Sequence, residues 1–267
     1  MKLTAVIFDW AGTVIDYGSR APVAAIQDVF DSASVPVTVD EARRSMGIAK
    51  RDHIQAILQL PRVAQAWELK YGHAPGSTDL DALYADFLPK QTACLERFST
   101  LIAGVPASAE GLRSRGIKIG SSTGYTRAML DFLVEMARRQ GFSPGCAVCP
   151  QDVPGGGRPA PWMCYLNAIR LEVGPLWSMV KIGDTPSDIE EGLNAGMWTV
   201  GVTRTGNEVG LTEDEWTSAT AAERSVVIAR ARKRLLDAGA HYVIESAGEC
   251  LDVVDEISGR IAAGERP

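Results

Sequence analysis

Val6-Ile7-Phe8-Asp9-Trp10-Ala11-Gly12-Thr13 is an apolar run that ends in a carboxylate, with a glycine and a hydroxyl close behind it. Packing gives no reason for a buried strand to end in aspartate, because a buried carboxylate is costly unless it is paired or holds a metal. Residues 2–8 read as a strand that from Leu3 onward is apolar or β-branched on both faces, the pattern of a central strand in a parallel sheet. Asp9 is therefore read as a nucleophile at the carboxyl edge of that sheet.

The chain on either side fits this reading. From about 20 to 98 the patterns are helical, near 21–33, 50–59, 61–71 and 79–98, and Thr38 with Glu41 forms a capping box. After Gly104 the pattern alternates. Helices are predicted over 105–115, 126–140 and 162–171, and strands over 116–121, 147–149 and 179–182. Thr185-Pro186 opens a further helix that Gly196 closes, and strands follow at 197–202 and 240–244. Between the last two strands lies a polar connection, 204–239, with a second capping box (Thr212 to Glu215) and a helix over 221–238. Ser246 to Glu249 caps a C-terminal helix.

Alternating strands and helices predict an α/β fold with a doubly wound, Rossmann-like parallel sheet. The core domain is discontinuous, 1–18 and 100–267. A helical cap domain, 19–99, is inserted just after the first strand. That places it over the carboxyl ends of the strands, where open α/β sheets bind ligands.

The bulk numbers narrow the partners. With 267 residues, 46% hydrophobic and 22% charged, the composition is that of an ordinary soluble globular protein. A net charge of −6 gives no basic footprint for nucleic acid. The apolar run at the N-terminus is too short for a signal segment or a membrane span, so a cytoplasmic enzyme is expected. Five scattered cysteines do not make a disulfide framework. Cys146 and Cys149 lack further ligands at zinc spacing and are read as small buried hydrophobes.

Three predicted strands end in polar residues: Asp9, the run Ser121-Ser122-Thr123-Gly124, and Asp184. Two carboxylates meeting at one sheet edge repel unless a cation lies between them, and an all-oxygen ligand set suits Mg²⁺. Asp188, one helical turn after Asp184, can face the same place. The hydroxyls and N–H groups of Ser121 to Gly124 suit an anion at a strand-to-helix junction. Pro154-Gly155-Gly156-Gly157-Arg158-Pro159 lacks the P-loop ending, but Arg158 could clamp phosphate oxygens with its guanidinium.

Asp9-x-Ala11-Gly12-Thr13, the hydroxyl-ended strand, Arg158-Pro159-x-Pro161 and Gly183-Asp184-x-x-x-Asp188 stand in the order of the four motifs of the haloacid dehalogenase superfamily. The chain resembles that superfamily over most of its length. Its ordinary phosphatases carry a second aspartate as general acid two residues after the nucleophile. Here that position is Ala11, whose methyl cannot transfer a proton. Met46-Gly47-x-x-Lys50-x-x-His53, Ser122-Thr123-Gly124-Tyr125-Thr126-Arg127 and the run from Gly196 to Val202 further resemble the phosphonoacetaldehyde hydrolases, or phosphonatases.

That resemblance implies hydrolysis of a carbon–phosphorus bond through a Lys50 Schiff base and an Asp9 aspartyl phosphate, in 2-aminoethylphosphonate degradation. It implies Mg²⁺ held by the Asp9 side chain, the Ala11 carbonyl and Asp184, with Asp188 in support. Ser121, Thr123, Gly124 and Arg158 would bind the phosphoryl group. Met46 would line the pocket, with His53 and Tyr125 as proton carriers, and a homodimer would form through the caps. Ser19 stands where the family often has cysteine. The competing expectation is a Mg²⁺-dependent phosphate-monoester phosphatase of the same superfamily.

Overall fold

The computed structural model describes residues 2–267. Its centre is a six-stranded sheet of β1 (Ala5–Phe8), β2 (Lys118–Ser122), β3 (Cys146–Val148), β4 (Met179–Gly183), β5 (Trp198–Val202) and β6 (Tyr242–Ile244). The spatial order is β3-β2-β1-β4-β5-β6, and every neighbouring pair is parallel. The order reverses between β1 and β4, the place where such sheets open a crevice at their carboxyl ends. Alternate residues of β1 enter different cores. Val6 and Phe8 join one apolar cluster, and Ala5 and Ile7 join the other with Met163, Met179 and Met197. This two-sided burial is why the strand shows no polar alternation.

Five helices make up the insert that follows β1: α1 (Arg20–Ser32), α2 (Val39–Arg43), α3 (Lys50–Leu58), α4 (Pro61–Tyr71) and α5 (Ser77–Leu95). No strand interrupts them. The two ends of this insert lie side by side, since Ile15 bridges Leu101. Asp16 opens α1 by accepting from the N–H groups of Arg20 and Ala21, both at 2.9 Å. At α2 the predicted capping box forms, with Thr38 Oγ1 accepting from Glu41 N at 3.1 Å.

The remaining helices flank the sheet: α6 (Val105–Ser114), α7 (Arg127–Arg139), α8 (Trp162–Leu171), α9 (Pro186–Asn194), α10 (Glu213–Ser218), α11 (Ala221–Asp237) and α12 (Leu251–Ala262). Most bounds match the sequence patterns within a few residues. The Thr212 capping box starts a helix of its own, α10, that lasts six residues, because Thr220 and Glu223 form a new box for α11. Cys146 and Cys149 are buried among apolar side chains. No helix among the described residues is long and apolar enough to cross a membrane.

Candidate active site

Asp9 follows β1 directly, and its N–H donates to the Ile182 carbonyl of β4 at 2.9 Å. The pairing of Phe8 with Ile182 sets Asp9 level with Gly183, one residue before Asp184. Asp184 and Asp188 complete a buried group in which Asp9, Asp184 and Asp188 each bring one oxygen within 4.8 Å of the others. Burial raises the pKa of Asp9, and the charge of Asp188 raises it further. Asp184 is raised well above the ordinary range by burial and by Asp9 and Asp188. This mutual repulsion is what a bound cation relieves.

Two buried cations answer four buried carboxylates. Arg158 Nη2 lies 2.7 Å from Asp9 Oδ1, its Nη1 3.0 Å from Asp188 Oδ1, and its Nε 2.9 Å from Glu191 Oε2. Lys181 Nζ sits 2.7 Å from Asp188 Oδ1 and 3.4 Å from Glu191 Oε2. Counting Asp9, Asp184, Asp188 and Glu191 against Arg158 and Lys181 leaves an excess of two negative charges when all are ionised and Lys50, the third buried cation of the site, is neutral, and of one when Lys50 is protonated. One divalent cation offsets that excess, and carboxylate oxygens are ligands that Mg²⁺ accepts. Asp188 is within ligand reach, but Lys181 and Arg158 hold its Oδ1, and Thr185 donates to its Oδ2 at 2.6 Å. Those donors drive its pKa below the usual value in spite of burial.

Lys181 and Glu191 were not legible as site residues. The available signal was a lysine inside the apolar strand Met179-Val180-Lys181-Ile182, since lysine is almost never fully buried without a partner. Replacing Lys181 by methionine strands Asp188 and Glu191 beside a single guanidinium. The expected cost is about 3–5 kcal/mol in urea unfolding of the metal-free protein. A loss below about 1 kcal/mol would mean that Arg158 balances the cluster alone.

The insert closes over this cluster through one loop. Gly47 has φ +94°, and a Cβ there would lie 2.3 Å from Ser187 Oγ. On the opposite side a Cβ on Gly124 would lie 2.3 Å from the Ile48 carbonyl oxygen. Only glycines allow the loop before α3 to seat this deeply. Ser187 Oγ donates to Met46 O at 3.2 Å, and Arg158 Nη1 donates to Gly47 O at 3.2 Å. Lys50, the first residue of α3, is thereby carried into the same cavity as Asp9, Ala11, Ser19, Met46, Thr123, Gly124, Tyr125, Arg158 and Asp184. The cavity is small, with a volume of about 20 Å³.

Lys50 is 5% exposed, and burial lowers its pKa to about 8 although Asp9 pulls the other way. Its Nζ lies 4.9 Å from the centre of the Tyr125 ring. Tyr125 Oη is buried with no partner among the described residues, and burial raises its pKa well above the ordinary value, so it keeps its proton. His53, one turn along α3, bonds Ala42 O through Nε2 at 2.8 Å, and its Nδ1 has no partner among the described residues. Burial and Lys50 push its pKa down to about 3. It is neutral, does not line the cavity and sits behind Lys50. Thr123 Oγ1 accepts from Tyr125 N at 3.2 Å, which holds the turn at the end of β2.

Ser121 requires correction. It does not reach the cavity, and its Oγ donates to Cys146 O at 3.4 Å. Successive residues of a strand face opposite sides, so Ser122 takes the inward position. Ser122 Oγ bonds Glu191 at 2.9 Å, and its carbonyl accepts from Arg158 Nη2 at 2.7 Å.

The model of the haloacid dehalogenase-like hydrolases matches residues 3–196. The chain belongs to this family. Within the haloacid dehalogenase-like hydrolases it is similar to a phosphonoacetaldehyde hydrolase of Bacillus cytotoxicus, 48% identical over 96% of this chain and 97% of the relative. It is also 48% identical to a phosphonoacetaldehyde hydrolase of Paraburkholderia phytofirmans, over 98% of both chains. A crystal structure of a phosphonoacetaldehyde hydrolase-like protein from Oleispira antarctica superposes with a TM-score of 0.98 at 42% identity, covering 100% of this chain and 96% of that one.

Proposed function

We propose that this haloacid dehalogenase-like hydrolase cleaves the carbon–phosphorus bond of phosphonoacetaldehyde, giving acetaldehyde and phosphate. The observation that carries the reading is the meeting of Lys50 and Asp9 in one small cavity in which position 11 offers no general acid. A carbon leaving group has no lone pair to protonate, so an acid at position 11 would be idle. An amine that converts the aldehyde into an electron sink is what the bond needs.

In this mechanism the neutral Lys50 amine adds to the aldehyde carbon and water leaves, forming an iminium. Asp9 then attacks phosphorus, and the electrons of the broken bond become the double bond of an enamine on Lys50. Water hydrolyses the aspartyl phosphate. The enamine takes a proton at carbon and is hydrolysed to acetaldehyde, freeing Lys50. Thr123, the Gly124 N–H and Arg158 bind the phosphoryl oxygens, and Arg158 exchanges its contact with Asp9 for them. The Asp9 side chain, the Ala11 carbonyl and Asp184 would hold Mg²⁺, supported by Asp188. When bound, Mg²⁺ supplies positive charge to the phosphoryl oxygens.

His53 lies outside the cavity with its pKa pushed down to about 3, so in this reading it is a neutral neighbour of Lys50 and not a proton carrier. Tyr125, whose ring faces the Lys50 Nζ, acts as a donor. Met46 lines the pocket. Residues 19–99 act as the cap, opening to admit substrate and closing to exclude water. A homodimer through the caps belongs to the same reading. It is supported by the 82% exposure of Leu69 and by the groove that Val29, Trp67, Tyr71 and Leu83 line on the insert. Sedimentation at the monomer mass would remove that part.

The decisive experiment is phosphate release from phosphonoacetaldehyde against a panel of phosphate monoesters, with and without Mg²⁺. The expected result is Mg²⁺-dependent release from the phosphonate that exceeds release from every monoester. Preference for a monoester would favour the phosphatase reading instead.

A further inference from the structure

The segment after β5 does more than connect. Thr205 Oγ1 donates to Gly12 O at 2.8 Å, and Thr205 O accepts from Gly18 N at 2.7 Å. Asn207 N–H donates to Asp184 Oδ2 at 2.7 Å, the single hydrogen bond to that carboxylate among the described residues. The loop thus braces both the turn after Asp9 and the carboxylate at the end of β4.

The insert grips this same loop. Arg43, the last residue of α2, donates through Nη1 to Asn207 Oδ1 at 2.9 Å and through Nη2 to Gly210 O at 3.1 Å. Arg20, the first residue of α1, donates to Gly210 O at 3.2 Å. Among the described residues Arg43 has no carboxylate at ion-pair distance, and its hydrogen bonds go to the loop oxygens. Residues 206 and 210 close on each other, with Gly210 N donating to Gly206 O at 2.9 Å. A forked guanidinium spans Asn207 and Gly210 at once and fixes the shape of that turn, which a single ammonium cannot do.

We propose that Arg43 is a positioning residue that couples seating of the insert to the geometry of Asp184, through Asn207 and the 206–210 turn. With α2 seated, the guanidinium fixes Asn207, and the Asn207 N–H fixes one Asp184 oxygen. With α2 lifted, the turn loses its brace and Asp184 loses its preset orientation. The cation site is then at its best only beneath a closed insert. The inference rests on Asp184 as a metal ligand, and it gives residues 205–210 a role beyond connecting elements.

The test is calorimetric titration of the full chain with Mg²⁺, without substrate, for the wild type, Arg43→Ala, Arg43→Lys, Asn207→Ala and the Arg43→Ala/Asn207→Ala double variant. Partners that orient ligands typically contribute 10–100-fold to metal affinity, so Arg43→Ala should weaken Mg²⁺ binding by about that range. Arg43→Lys should restore only part of the loss. Asn207→Ala keeps its N–H to Asp184 but loses the contact to Arg43, so it should weaken binding in the same direction. The double variant should be no weaker than the weaker single. Mg²⁺ affinities within about twofold of wild type in both single variants, or losses that multiply in the double, would overturn the proposal. If Arg43→Ala does not fold, Asn207→Ala decides by itself. Since no substrate enters the titration, failure of the wild type to cleave phosphonoacetaldehyde while the variants lose Mg²⁺ affinity as expected would count against the proposed function and leave this inference intact.

Discussion

Asp9→Asn is expected to lower phosphate release from phosphonoacetaldehyde by at least about 10⁴-fold, the scale of losing a covalent nucleophile. The amide keeps the shape of the side chain but attacks phosphorus poorly. The fold should survive, because Arg158 retains Asp188 at 3.0 Å and Glu191 at 2.9 Å. Stability should even rise in the metal-free protein. Asp9 and Asp184 have pKa values raised above the 3.8 of a free carboxyl, so their contribution to stability is full at low pH and is lost as pH rises through the native values. Removing Asp9 takes away one of the charges that raise Asp184, which should flatten this loss. Thermal unfolding at pH 5 and pH 8 measures it. Activity within tenfold of wild type would remove Asp9 from the role of nucleophile. An unchanged pH dependence of unfolding would remove the repulsion argument.

The second large effect is at Lys50. Substrate with borohydride should leave a reduced adduct on Lys50, found by peptide mass, and Lys50→Arg should give none and no carbon–phosphorus cleavage. Only the neutral amine adds to an aldehyde. With the native pKa at about 8, kcat/KM should climb as pH rises through 8 and flatten above it. A flat profile between pH 6 and 9, or an adduct on another residue, would sink the Schiff-base step. Stability runs the other way. The shift from 10.5 to about 8 means that the folded state disfavours the ammonium. Lys50→Met should therefore stabilise the protein at pH 7 by about 3 kcal/mol while abolishing the reaction.

The sheet was legible because its signals are local. An unbroken apolar run, a Thr-Pro helix start and a closing glycine each act over a few residues, and their order dictates an α/β fold. Asp9 and Asp184 were legible for the same reason, as each stands at the end of such a pattern, whereas the missing acid at Ala11 was legible only through the family resemblance. Lys50 was not legible by spacing, since an isolated lysine at a helix start reads as surface. Only its resemblance to a family marked it. What makes Lys50 usable is its burial where the insert that carries it, begun 30 residues earlier in the chain, meets the sheet edge.

The pairing of charges across the core was decided by tertiary structure alone. Ser121 and Ser122 are the same residue type side by side, and only the register of β2 against β1 sends one to Cys146 and the other to Arg158. Lys181 and Glu191 gain their roles from the packing of α9 on β4, and Arg43 from a loop more than 160 residues away. Such contacts depend on distance in space, which local patterning does not encode. The sequence by itself determined where the carboxylates stand on the sheet edge. The tertiary structure decided which buried cations face them, and it brought the Lys50 amine into one cavity with Asp9.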